Sequence, residues 1–176
     1  PVFREASEDR QRLQNIFRKL MRFTAFVSFP AMLGLAIVSQ ELIVISITEK
    51  WLPCVPVMQI LCVWGAFMPI STLYSNLMNS IGRPNVYMWN TIALGIFQLL
   101  CVWGSYPYGL NVMLIVYTAA NILWLLVWHY FAHKHIGISL FNTLKDIAPY
   151  LIISVAVMAF TYWVASYIEN IYLSLL

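Results

Sequence analysis

Eight side chains inside or beside the long apolar runs of this sequence could do chemistry: Arg18, Arg22, Asn76, Asn79, Arg83, Asn90, Gln98 and Asn121. All are cationic or amide-bearing, a set that attracts and hydrogen-bonds an anionic, hydroxyl-rich cargo such as a phosphorylated glycan. Each residue also has a plainer use, since amides in membrane helices hold neighbouring helices together and arginines at span ends anchor head groups. No nucleophile elbow, phosphate-binding glycine loop or intramembrane carboxylate pair is present, so neither an enzyme nor a cofactor is expected. His129 and His133 stand four apart, a spacing that puts both on one helix face and could suit a metal with His135. Their place at the end of an apolar run argues for an interfacial role instead, and no metal is expected. Cys54, Cys62 and Cys101 lack paired spacing and read as small packing residues.

The elements that must position these groups are membrane helices. With 61% hydrophobic and only 10% charged residues in 176, the chain lies outside the balance of a soluble domain. A hydrocarbon core about 30 Å thick needs roughly 20 apolar residues of helix, because only a helix satisfies its own backbone there. Five runs qualify: 23–47, 55–78, 86–104, 110–131 and 147–168. The fold class is therefore all-α, a polytopic bundle of about five spans.

Residues 1–22 read as an amphipathic lead-in running directly into the first span, with Leu13, Ile16, Phe17, Leu20 and Met21 at helical spacing. The first run is interrupted by Gln40 and Glu41, so Leu42 to Ile47 reads as a short interfacial helix. Pro30 and Pro69 sit inside the first and second spans, where each removes a backbone bond and marks a kink or hinge. Ser71, Thr72, Ser75, Asn76 and Asn79 gather in the second half of the second span, facing a neighbour or a wet cavity. The stretch Ser139 to Asp146 reads as amphipathic and precedes the fifth span. Residues 169–176 read as an external loop and the start of a further span, so the sequence looks like a piece of a longer protein.

Orientation follows from charge. Arg4, Arg10, Arg12, Arg18, Lys19, Arg22, Arg83, Lys134 and Lys145 all fall on one side under strict alternation, leaving Lys50 on the other. The positive-inside rule then places the N-terminal end in the cytoplasm and the C-terminal end outside. Nucleic acid is not an expected partner, because the aromatic residues Trp51, Tyr106, Tyr108, Trp128, Tyr130, Tyr150 and Tyr167 lie near span ends as interfacial belts rather than along a basic groove.

The order of features resembles a known family. Pro1, Val2 and Phe3 before mixed charges, an amphipathic helix, Phe29 and Pro30 within a span, Gly34 and Leu35, Trp51 opening a new helix, and Leu77 to Arg83 with its small-residue Gly-Arg turn resemble the polysaccharide-type flippases. These belong to the multidrug, oligosaccharidyl-lipid and polysaccharide exporter superfamily. Lys50 departs from the pattern, standing where many relatives carry Gly. The resemblance implies a fragment of the C-terminal lobe of a two-lobe exporter in the bacterial inner membrane. Its cargo would be a polyprenyl-pyrophosphate-linked oligosaccharide for surface polysaccharide or lipopolysaccharide, with Arg22, Asn76 and Arg83 as the expected contacts. Its other partners would be membrane lipids and the remaining helices of the full-length protein. Two other readings compete: a multidrug or cation antiporter of the same superfamily, which should carry membrane carboxylates, and an integral membrane glycan-processing enzyme, which should carry large external loops.

Overall fold

The computed structural model describes the backbone of residues 2–174 and the side chains of residues 9–164. Six α-helices follow one another: α1 Val2–Ile37, α2 Ser39–Ser46, α3 Val55–Ser80, α4 Pro84–Ser105, α5 Leu110–Ile136 and α6 Leu140–Ser174, with short 3-10 turns at Glu49–Cys54 and Tyr106–Tyr108. Five segments are long and apolar enough to cross a membrane: Asp9–Ile37, Glu49–Ser80, Pro84–Tyr108, Leu110–Ile136 and Leu140–Val164. The chain is an all-α polytopic bundle.

Two boundaries differ from the sequence pattern. The apolar run 23–47 is not one helix: α1 stops at Ile37, and α2 carries the rest as a short helix. The buried Ser39 explains the break, because its hydroxyl donates to the Ala36 carbonyl at 2.7 Å, satisfying the acceptor at the end of α1. The second difference is at α6, where the amphipathic stretch and the fifth span form one continuous helix. Pro149 lies inside it, yet the helix continues, since proline withholds only the bond to the Lys145 carbonyl near the polar end of the bundle. The helix also runs past 169 to Ser174, through the expected loop start. Pro1, Leu175 and Leu176 lie outside the described residues, as do the side chains after Val164, Tyr167 among them.

The core is built on four-residue spacing. Phe17, Met21, Ala25 and Phe29 form one buried stripe along α1, facing Ala66, Ile70, Tyr74, Leu77 and Met78 of α3 and Trp128, Ala132 and Ile136 of α5. Such rows pack ridge into groove, and the small Ala25, Ala66 and Ala132 let the helices approach. Ser28 donates to the Ala66 carbonyl at 3.0 Å in this contact. Trp128, expected in an interfacial belt, is instead 2% exposed in the core, with its ring tilted against Tyr87 of α4 at 6.3 Å.

From this centre the packing runs outward: α6 lies against α1, α1 against α3, α3 against α5, and α5 against α4. Pro30 and Pro69 both lie inside helices that continue beyond them. The C-terminus of α5 is closed by Gly137 in the left-handed conformation (φ 74°), whose N–H donates to the His133 carbonyl at 2.8 Å. Gln14 of α1 donates to the Ile136 carbonyl there, tying the lead-in to the same end.

Candidate functional site

Two polar clefts open at the end of the bundle where α1 begins, α3 ends and α5 ends. The first surrounds the turn between α3 and α4. Gly82 takes a positive φ of 73°, the Arg83 N–H donates to the Met78 carbonyl at 3.0 Å, and Pro84 opens α4. This turn presents Arg83 to a cleft of about 340 Å³ lined also by Asp9, Arg10, Leu13, Ile81, His135 and Ile136. Above it, Thr72, Asn76 and Asn79 are exposed at positions four and three apart on α3, one polar stripe leading toward Arg83. The Thr72, Ser75 and Ser80 hydroxyls donate to carbonyls of their own helix, at 3.1, 3.2 and 2.9 Å. The Asn76 and Asn79 amides make no side-chain hydrogen bond among the described residues.

The second cleft, of about 440 Å³, lies between α1 and α6 and is lined by Arg18, Arg22, Asn142, Lys145, Asp146, Pro149 and Tyr150. Arg18 grips the Asp146 carboxylate with both arms of its guanidinium, at 2.6 and 3.1 Å. Arg22, one turn further along α1, stands 3.8 Å from the same carboxylate. The Asp146 side chain is only 7% exposed, against 32% for Arg18 and 49% for Arg22. The acid is thus buried and paired, while Arg22 remains half open.

These positions distribute the three expected contacts. Arg22 lines the α1–α6 cleft, Arg83 lines the other, and Asn76 lies on the exposed α3 stripe; no single cleft holds all three. Asn90, Gln98 and Asn121 instead join α4 to α5. Trp124 donates its indole N–H to Asn90 Oδ1 at 2.9 Å, Gln98 donates to Asn121 Oδ1 at 2.8 Å, and Asn121 donates to the Tyr117 carbonyl at 2.8 Å. They form a seam between α4 and α5. The three histidines have different neighbours: His129 Nδ1 meets the Tyr74 hydroxyl at 3.1 Å, His133 Nδ1 meets the Ile138 carbonyl at 2.9 Å, and His135 lines the Arg83 cleft. No group of three metal-ligating side chains comes together among the described residues.

Sequence reasoning missed two features. In the sequence Asp146 is only the end of an amphipathic stretch, and its partner lies 128 residues away with no local pattern to announce it. The buried Tyr74–His129 pair was missed too, although a tyrosine well inside a span was a usable signal.

Residues 1–56 match the family described as polysaccharide biosynthesis protein. The chain is 33% identical over 78 residues to an uncharacterized membrane protein in the cps region of Klebsiella pneumoniae, covering 44% of this chain and 16% of the relative. The chain resembles the polysaccharide biosynthesis proteins. It is also 31% identical over 86 residues to the lipopolysaccharide biosynthesis protein WzxC of Escherichia coli K12, covering 49% of this chain and 18% of that one. Against the teichuronic acid biosynthesis protein TuaB of Bacillus subtilis 168 the identity is 26% over 98 residues, 55% of this chain and 20% of the relative. The matched stretches therefore span about a fifth or less of each of these polysaccharide biosynthesis relatives. No solved structure matches the chain. The family match covers α1, α2 and the following 3-10 turn, and so includes Arg18, Arg22 and Pro30 but neither Asn76, Arg83 nor Asp146.

Proposed function

We propose that the chain is a helical part of a bacterial inner-membrane flippase that moves a polyprenyl-pyrophosphate-linked oligosaccharide from the cytoplasmic to the external leaflet. In this reading it contributes most of one lobe of a two-lobe exporter, acting by alternating access together with the remaining helices. The cargo serves surface polysaccharide or lipopolysaccharide synthesis, and the protein performs no covalent chemistry. The observation that carries the reading is the exposed stripe of Thr72, Asn76 and Asn79 leading to Arg83, on a helix apolar enough to cross a membrane. Exposed amides in a span belong beside water or a polar cargo, and an arginine at the stripe's end suits a pyrophosphate. Asn76 and Arg83 are therefore assigned to the cargo route; Arg22, in a cleft of its own, is not.

The antiporter reading needs a membrane carboxylate free to take up a cation. Among the described residues the one buried carboxylate is Asp146, and Arg18 already holds it. In this reading the polar end of the bundle, with Arg83 and Lys145, faces the cytoplasm, as the positive-inside rule supports. The function is tested by deleting the full-length gene: lipid-linked repeat units should accumulate in the cytoplasmic leaflet and surface polysaccharide should fall. Unchanged surface polysaccharide in the deletion strain overturns the proposal.

A further inference from the structure

The α1–α6 cleft holds more positive charge than its own acid can neutralise. Arg18 and Asp146 cancel each other through the two-armed contact, which leaves Arg22 and Lys145 as two cations beside Asn142 and Tyr150 in one recess of about 440 Å³. Arg22 is 3.8 Å from a carboxylate already engaged elsewhere, and both Arg22 and Lys145 are exposed. The recess therefore offers one guanidinium, one ammonium and an amide to an anion, a donor set matched to a phosphate.

Its location says what carries that phosphate. Immediately beyond Arg22 and Asp146 both helices turn apolar and outward-facing: Phe23 is 66% exposed and Phe26 60% on α1, and Ile152 is 65% and Ile153 59% on α6. Phe26 meets Tyr150 edge-on at 5.9 Å, forming an aromatic floor between the charges and the apolar faces. Cations above, an aromatic ring at the boundary and exposed hydrocarbon below match a phospholipid read from head group to acyl chains. We propose that the α1–α6 cleft binds the phosphate of an anionic membrane lipid, with Arg22 and Lys145 as its cationic contacts and the acyl chains lying along Phe23, Phe26, Ile152 and Ile153. The site stands whether or not the protein carries a glycolipid, and occupancy would fasten α6 to α1 beside the Arg18–Asp146 clasp.

The test is native mass spectrometry of the full-length protein in detergent, titrated with phosphatidylglycerol or with zwitterionic phosphatidylcholine. Phosphatidylglycerol should bind in clear preference. The double variant Arg22→Gln and Lys145→Gln should weaken it roughly 30-fold, at about 1 kcal/mol for each basic residue near the lipid surface. Lys145→Gln alone, an exposed change that spares folding, should weaken it about fivefold. Arg12→Gln with Lys19→Gln removes the same charge from the neighbouring face of α1 and should leave binding nearly unchanged. Equal losses in the two double variants would reduce the effect to general electrostatics and overturn the site. So would equal binding of the two lipids, or displacement of phosphatidylglycerol by millimolar inorganic phosphate, which would mark a free-anion site instead.

Discussion

The two outer helices are fastened to the central α1–α3–α5 core in different ways. α4 is held to α5 by neutral groups, Asn90 with Trp124 and Gln98 with Asn121, within the apolar span. α6 is held to α1 by Phe26 against Tyr150 and by an ion pair, Arg18 with Asp146, at the polar end. Depth accounts for the difference. A charge in hydrocarbon is expensive, whereas amides there gain a modest hydrogen bond; at the boundary an ion pair keeps partial access to water. The two fasteners also fail differently, which makes the contrast testable.

The largest effect should come from Arg18→Ala, which leaves the Asp146 carboxylate buried with only the more distant Arg22. A loss of about 3 kcal/mol is expected, read as a lowered unfolding midpoint of the full-length protein in detergent or bicelles. Asp146→Asn should cost less, about 1–2 kcal/mol, because Arg18 is a third exposed and can turn to water. If Arg18→Ala and Asp146→Asn cost the same, the carboxylate is not the buried partner. Next comes the seam: Gln98→Leu or Asn121→Leu should cost about 0.6 kcal/mol each. The double variant should cost little more than either single one, since two apolar partners leave less unsatisfied than one. Additive losses would mean that the two amides do not act as a pair. The smallest effect should be Arg22→Gln, within about 0.5 kcal/mol, because a half-exposed arginine 3.8 Å from an engaged acid adds little stability.

The contrast also marks how far the sequence could be read. The five apolar segments were legible because each needs a run of fixed length, but the α1 stripe was legible only in part: Phe17 and Met21 are buried, whereas Ile16 and Leu20 at the same helical spacing are exposed. The end of α1 at Ile37 was only half legible: Gln40 and Glu41 announced an interruption, but the hydroxyl that closes the helix belongs to Ser39 inside the apolar run. Asn90, Gln98 and Asn121 could be recognised as polar residues in spans, but not which would pair with each other and which would stay open like Asn76. That depends on helix rotation, which composition does not encode. Asp146 was the least legible, since its role depends on α6 lying beside α1, a tertiary fact linking opposite ends of the chain.

Sidedness offers an independent check on the proposed orientation. Cys54, at the end of the bundle away from Arg83, should react with an impermeant maleimide added outside intact cells, and Ser80→Cys should react only once the membrane is opened. Reversed labelling would contradict the cytoplasmic placement of the basic end.

The most direct test of the proposed cargo route is to measure lipid-linked oligosaccharide crossing the membrane in cells whose full-length gene carries Asn76→Leu with Arg83→Gln, at matched protein levels. Intermediates should accumulate in the cytoplasmic leaflet and surface glycan should fall at least tenfold, while the Gln98→Leu seam variant exports normally. Normal export by the Asn76 and Arg83 variant, with a defect confined to the seam variant, would contradict the proposed route.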